Sequence, residues 1–417
     1  MNGADPLEEL LADAGRTRID GAREVVTVRD DDDAAFLDAV AKRGGAPIEL
    51  VRRGRVHGRV VELDPRTTPR LSRPSQLRRR FAEARPVVLP GALAHELGRR
   101  RNELFESDRL HERLVDADSL RRHLERRLAN SRRFTVARVV EGGADPERDL
   151  ATAFVDDARA PRAGLWIKLG RLSTSADDAS KRLRFGFGVE PDDDASGDPE
   201  RHRALTTLAR EALPELAWVE SERGPFADVA VAAEAALGPV CPIVYWNRPN
   251  GGALMHHDGF APVECDGQRG VLYTQLAGAT VWLALSTSQL ARRVREFAEL
   301  LDAGEMDWVV DALAGSPVED ALRELAHDEF ALAEELALPG QGRLGGLVEL
   351  GPEFTAYLVD SGHAAVLHPG DAILLPNHGT RATALHSVFC GGGGPNLALS
   401  LGLRRREVTG APRRRGR

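Results

Sequence analysis

From Val240 to Leu403 the chain is dominated by short apolar or alternating runs, and this pattern limits the fold more than any other feature. The runs are Ile243–Trp246, Ala253–Asp258, Val271–Leu276, Thr280–Leu285, Ala364–Leu367, Ala372–Leu375, Thr383–Phe389 and Asn396–Leu403. Each has the length of a strand, and turn-forming residues stand between most of them. A block with helical spacing (Leu290, Val294, Phe297, Leu300, Leu301) separates them between Thr287 and Leu338. This predicts an α+β chain whose C-terminal half is an all-β barrel or jelly roll with a helical insert.

The upstream sequence is more mixed. Residues 1–84 predict a small α/β module, with a helix around Ala34–Lys42 and extended segments at Ile48–Val51 and Val56–Leu63. The run "RPVVLPGAL" (Arg85–Leu93) reads as a buried strand closed by a Pro-Gly turn, and it opens a larger domain, 85–405. Helical spacing follows over 94–130, then strand-like segments at Phe134–Val140 and Leu165–Leu169, and an acidic surface loop at Glu190–Glu200. The helical insert of this domain spans about 287–338, and residues 406–417 form a basic tail.

Charge narrows the function classes. Basic residues number 56 against 64 acidic, a net charge of -8, so nothing global attracts nucleic acid or an anionic membrane. Only the arginine-rich tail offers a contact to nucleic acid. No stretch reaches the roughly 20 apolar residues that span a bilayer. Asp5, Glu8, Glu9 and Asp13 stand where a signal peptide would be basic and then apolar, which predicts a cytoplasmic protein. Cys241, Cys265 and Cys390 are too few and too scattered for a disulfide framework and read as buried structural residues.

The stretch "MHHDGF" carries the chemistry. In a strand, alternate side chains share a face, so His256 and Asp258 point one way and His257 the other. An imidazole and a carboxylate need one further histidine to complete the facial triad of non-heme Fe(II) oxygenases, which leaves coordination positions open. The pair His-x-Asp is common by chance; its place after a Gly-containing turn, among many strands, is what raises it. An aspartate on the inward face of a barrel strand is costly unless paired or metal-bound. The His257-Asp258 doublet also matches metal-dependent phosphohydrolases, but those carry it on a helix of an all-α domain. The third ligand has four candidates, His363, His368, His378 and His386. His386 lies within an apolar segment that a Gly-rich loop joins to the last strand, so it is chosen, with His378 in reserve.

The order "HHDGF…LYTQLAGATVWLAL" and then "HPGDAILLP…ALHSVF" resembles the JmjC and cupin-like family of Fe(II)- and 2-oxoglutarate-dependent oxygenases. The resemblance spans roughly residues 85–405. It implies a double-stranded β-helix (jelly-roll/cupin) core with flanking helices, Fe(II) held by His256, Asp258 and His386, and 2-oxoglutarate as cosubstrate. It also implies hydroxylation or demethylation of a protein side chain or small molecule. One position departs from the family: many relatives carry a lysine two residues after the hairpin glycine, where this chain has Thr280. The only lysines are Lys42, Lys168 and Lys181, so none lies in the barrel segments. On the last segment Leu397, Leu399, Leu401 and Leu403 share one face, while Asn396, Ala398, Ser400, Gly402 and Arg404 share the other. That small polar face suits a barrel interior, and Arg404 with Thr280, Tyr273 and Ser400 is the expected clamp for the cosubstrate. The other readings are a regulatory binding module that has lost turnover, and a cupin-type metalloenzyme that needs no 2-oxoglutarate. The helical insert could serve as a lid or as a homodimer surface.

Overall fold

The structure, a computed structural model, describes residues 48–60, 74–99, 109–188, 198–220, 224–233, 237–258, 268–304, 315–337, 342–348, 352–391 and 396–405. The helix expected at Ala34–Lys42, the loop residues 190–197, Cys265 and the basic tail lie outside them. Among the described residues no helix is long and apolar enough to cross a membrane.

Helices and antiparallel sheets are combined in one architecture. The strands are β1 (Ile48–Arg52), β2 (Arg55–Val60), β3 (Val87–Leu89), β4 (Phe134–Glu141), β5 (Asp149–Asp157), β6 (Leu165–Arg171) and β7 (Lys181–Phe187). They continue with β8 (Leu237–Asn247), β9 (Gly252–His256), β10 (Gln268–Ala277) and β11 (Thr280–Ser286). The last four are β12 (Ala364–Leu367), β13 (Ala372–Pro376), β14 (Ala384–Cys390) and β15 (Asn396–Arg405). A large sheet runs β3-β13-β10-β15-β8-β7-β6-β5-β4 and a smaller one β12-β11-β14-β9, a two-sheet arrangement consistent with a jelly-roll-like fold.

Period-two alternation divides the side chains among three apolar clusters. Leu397, Leu399, Leu401 and Leu403 of β15 face outward, into a cluster with the helices Ala117–Leu128 and Pro199–Ala212. Val281, Leu283, Leu385 and Phe389 leave the small sheet on its outer side and pack against the helical insert. Between the sheets, Val271, Tyr273, Ile373, Leu375 and Ala398 of the large sheet meet Trp282, Ala384 and Val388 of the small one. The insert begins at the helix Thr287–Asp302, whose start is fixed by a reciprocal cap between Ser286 and Gln289. It continues through the helix Pro352–Asp360 before β12, past the expected end near 338.

Two features exceed the sequence expectations. Strands β5 and β7 pair with β4, β6 and β8 to prolong the large sheet beyond the strands that face the small one. In β7 Leu183, Phe185 and Phe187 alternate with Arg182, Arg184 and Gly186, while in β5 the apolar run Leu150–Val155 is broken only by Thr152. The β1–β2 hairpin also docks on the small sheet rather than standing apart. Buried Arg52 donates from Nη1 to Ser387 Oγ (2.6 Å) and to the Ala253 carbonyl (2.6 Å), and its guanidinium lies 4.5 Å from the Phe389 ring centre.

Candidate metal centre

His256 ends β9 and His386 lies directly opposite it on β14, the two rings 4.2 Å apart. The ladder places Ala253 opposite Val388 and His256 opposite His386, so β9 carries one extra residue between the two pairs. Such a bulge re-aims the side chains that follow it. It lets Ala253 and His256, three residues apart, both face the interior, while Met255 packs outward. Asp258 was expected on the same strand, but β9 stops at His256 and Asp258 lies two residues beyond it. Strand alternation therefore does not aim Asp258. The chain after β9 does, and Asn377 helps by donating from Nδ2 to the Asp258 carbonyl (3.2 Å).

The three side chains converge: a nitrogen of each histidine and a carboxylate oxygen of Asp258 all lie within 4.8 Å of one another. His386 Nε2 and Asp258 Oδ2 are 3.7 Å apart. Ligands about 2.1 Å from one ion sit roughly 3 Å apart at right angles, so small side-chain rotations close the site. His256 Nδ1 lies 2.7 Å from the Leu254 carbonyl; with its proton there, Nε2 keeps a lone pair for a metal. Burial, and then the neighbouring His256, hold His386 well below the ordinary imidazole value, so it is neutral as a ligand must be. The His386 ring stacks on Trp282 at 5.3 Å. Two imidazoles and one carboxylate form the donor set of a facial triad.

The other candidate histidines are engaged elsewhere. His378 Nε2 lies 2.6 Å from the Phe81 carbonyl, and its ring meets Phe81 edge-on. His363 Nε2 accepts from Arg293 Nε at 2.9 Å. The backbone N–H of His368 donates to Asp371 in the turn before β13. His257 lines the same cavity but is not one of the three converging residues; its Nε2 lies 2.6 Å from the Ala337 carbonyl at the end of the helix Glu329–Leu336 and so ties the insert to the loop bearing Asp258.

A cavity of about 300 Å³ opens beside the triad. Tyr273, Ser400, Asn247, Gln268 and Tyr245 give it polar groups, and Trp282, Val271, Ile243, Leu375 and Val388 make much of the rest apolar. Among the described residues no lysine or arginine lines it. Burial pushes the Tyr273 phenol up, so it stays a neutral hydroxyl that accepts from Asn247 Nδ2 (3.3 Å). Thr280 is fully buried and does not line the cavity. Its hydroxyl donates to Gln275 Oε1 (2.9 Å) and accepts from Trp282 Nε1 (2.9 Å). A threonine has one hydroxyl proton, so Thr280 has no donor left for an anion. It braces the Trp282 ring that backs His386. Ser400 lines the cavity, whereas Arg404 lies one step beyond Gly402 on the same face of β15, paired with Gln268 and outside the lining. Sequence reasoning missed Asn247, Gln268 and Asn377; their isolated amides in apolar or turn segments carry no local signal.

Gly252 opens β9 at φ +129°, and a Cβ there would run into the Val388 carbonyl oxygen. Gly252→Ala is therefore expected to cost about 2 kcal/mol or more and to loosen the β9–β14 pairing that faces the two histidines. Urea unfolding, with metal affinity measured on the folded variant, checks both effects.

No protein-family model and no curated protein matches the chain. Among solved structures it is similar to an oxidoreductase of the 2OG-Fe(II) oxygenase family from Burkholderia pseudomallei, at 11% identity. The alignment covers 81% of this chain and 92% of that one with a TM-score of 0.30, a likeness that carries no argument about the site.

Proposed function

We propose that the chain is a mononuclear Fe(II)- and 2-oxoglutarate-dependent oxygenase on a double-stranded β-helix, the domain spanning residues 85–405, with His256, Asp258 and His386 as metal ligands. The observation that carries this reading is the convergence of a neutral buried imidazole, a second imidazole and a carboxylate beside a cavity. When bound, Fe(II) with 2-oxoglutarate supplies activation of O₂ and oxidation of a C–H bond of a protein side chain or small molecule.

The chain's own residues hold and shield. Asp258 offsets metal charge, the Leu254 carbonyl fixes the His256 tautomer, and Trp282 keeps the His386 ring from turning. Apolar walls limit water around the site. The Ser400 hydroxyl and the Asn247 amide are donors within reach of a bound dicarboxylate, and the Tyr273 hydroxyl joins them by turning from Gln275 Oε1 (3.4 Å), with Arg404 as the nearest cation on that face of β15. Arg404→Ala and Tyr273→Phe are each expected to raise the 2-oxoglutarate concentration for half-maximal turnover about tenfold, the loss of one hydrogen bond to a charged group. An unchanged requirement in Arg404→Ala would assign the clamp to the neutral donors alone.

The cation-free lining of the described cavity favours a second reading, a metal-dependent cupin enzyme or binding protein that uses no 2-oxoglutarate. Anaerobic protein loaded with Fe(II), then given 2-oxoglutarate and O₂, separates the two. Succinate formation supports the oxygenase; tight metal binding with no succinate for any candidate substrate supports the second reading.

A further inference from the structure

The helices Leu110–Arg113 and Ala117–Leu128 and the turn at Pro214 and Glu215 enclose a second cavity, of about 280 Å³, that shares no residue with the metal centre. Arg113, Arg126, Arg127, His123 and Glu215 supply its polar wall. His123 is only 4% exposed, and neither ring nitrogen has a hydrogen-bond partner. The Nε of Arg127 is likewise buried without one. Buried polar atoms are seldom left unsatisfied, and the N–H of this imidazole calls for an acceptor.

The electrostatics of the pocket favour one sign. Three guanidinium groups face one carboxylate, an excess of positive charge. Burial, and then Arg127, Arg126 and Arg113, push His123 down to about 3, so the ring stays neutral and offers one N–H donor. Cationic forks beside a neutral N–H donor fit a tetrahedral oxyanion. A water takes roughly 30 Å³ of liquid volume, so the cavity holds such an ion with space for a substituent.

We propose that this cavity is a binding site for a small oxyanion, a phosphate or sulfate group, held by Arg126, Arg127, Arg113 and the His123 N–H. The reading is independent of the metal centre and survives its failure. The ring C–H resonances of the histidines in the full chain, with His123 assigned by its loss in His123→Gln, are followed during titration with inorganic phosphate at constant ionic strength. Calorimetry runs in parallel, and sulfate is added as competitor. The expected result is saturable binding that shifts the His123 resonance and is displaced by sulfate. Arg126→Glu, at an exposed position, is expected to weaken phosphate binding at least about tenfold with the melting temperature unchanged. Should that variant not fold, Arg126→Gln makes the same test with a smaller change of charge. Absence of a saturable His123 shift at millimolar phosphate overturns the proposal, as does equal affinity in the folded Arg126 variant and the parent chain.

Discussion

Replacing His386 by alanine is expected to lower both Fe(II) affinity and 2-oxoglutarate turnover at least about 100-fold. Losing an outer-shell partner of a ligand already costs about 10–100-fold, and here the ligand itself goes. His386 holds a buried nitrogen 3.7 Å from the Asp258 carboxylate and faces His256 across the β9–β14 ladder. Its loss leaves a two-ligand site with an open wall against Trp282. His378→Ala is the matched control: that ring bonds to the Phe81 carbonyl, so metal affinity is expected to stay within about twofold, the scatter of such measurements. Metal affinity read by dialysis and turnover read as succinate are separate measurements. Loss of both in His386→Ala supports the proposed oxygenase, while loss of metal from a protein that never made succinate supports the cupin reading. Full metal affinity in His386→Ala would remove this histidine from the site.

The largest expected stability effect lies far from the metal. Lys168 Nζ meets Asp149 Oδ2 at 3.1 Å between β6 and β5, and both side chains are buried, at 7% and 2% exposure. Lys168→Met leaves a buried carboxylate without its cation and is expected to destabilise the fold by about 3–5 kcal/mol. The double change Lys168→Met with Asp149→Asn removes both charges and should recover much of that loss, because the pair itself gains little over neutral packing. Urea unfolding of the two single variants and the double variant closes the cycle. If the single and double variants lost equal stability, burial of an unpaired charge would not be the cause.

Particular residues show how far the sequence could be read. The face of β15 bearing Ser400 and Gly402 points to the cavity and its leucines point outward, as alternation alone required. The same rule failed for Asp258, because β9 contains a bulge and ends before it. The clamp role expected of Thr280 came from its standing two residues after Gly278, where many members of the resembled family carry a lysine. Its hydroxyl is committed to Gln275, a contact set by how β10 turns into β11. The alternation of β7 is plain in its residues, but its place in the large sheet, between β6 and β8, is set only by pairing.

The sequence by itself determined that the C-terminal half is built of strands, that a helical block interrupts them, and that a histidine and an aspartate stand two residues apart. Those are local properties of side-chain chemistry and of the period-two backbone. Only the tertiary structure decided which distant histidine meets the pair, how Asp258 reaches it, and that Thr280 braces Trp282 instead of lining the cavity. Each of those depends on strand register, bulges and hydrogen bonds between segments far apart in the chain, and such contacts leave no period in the sequence.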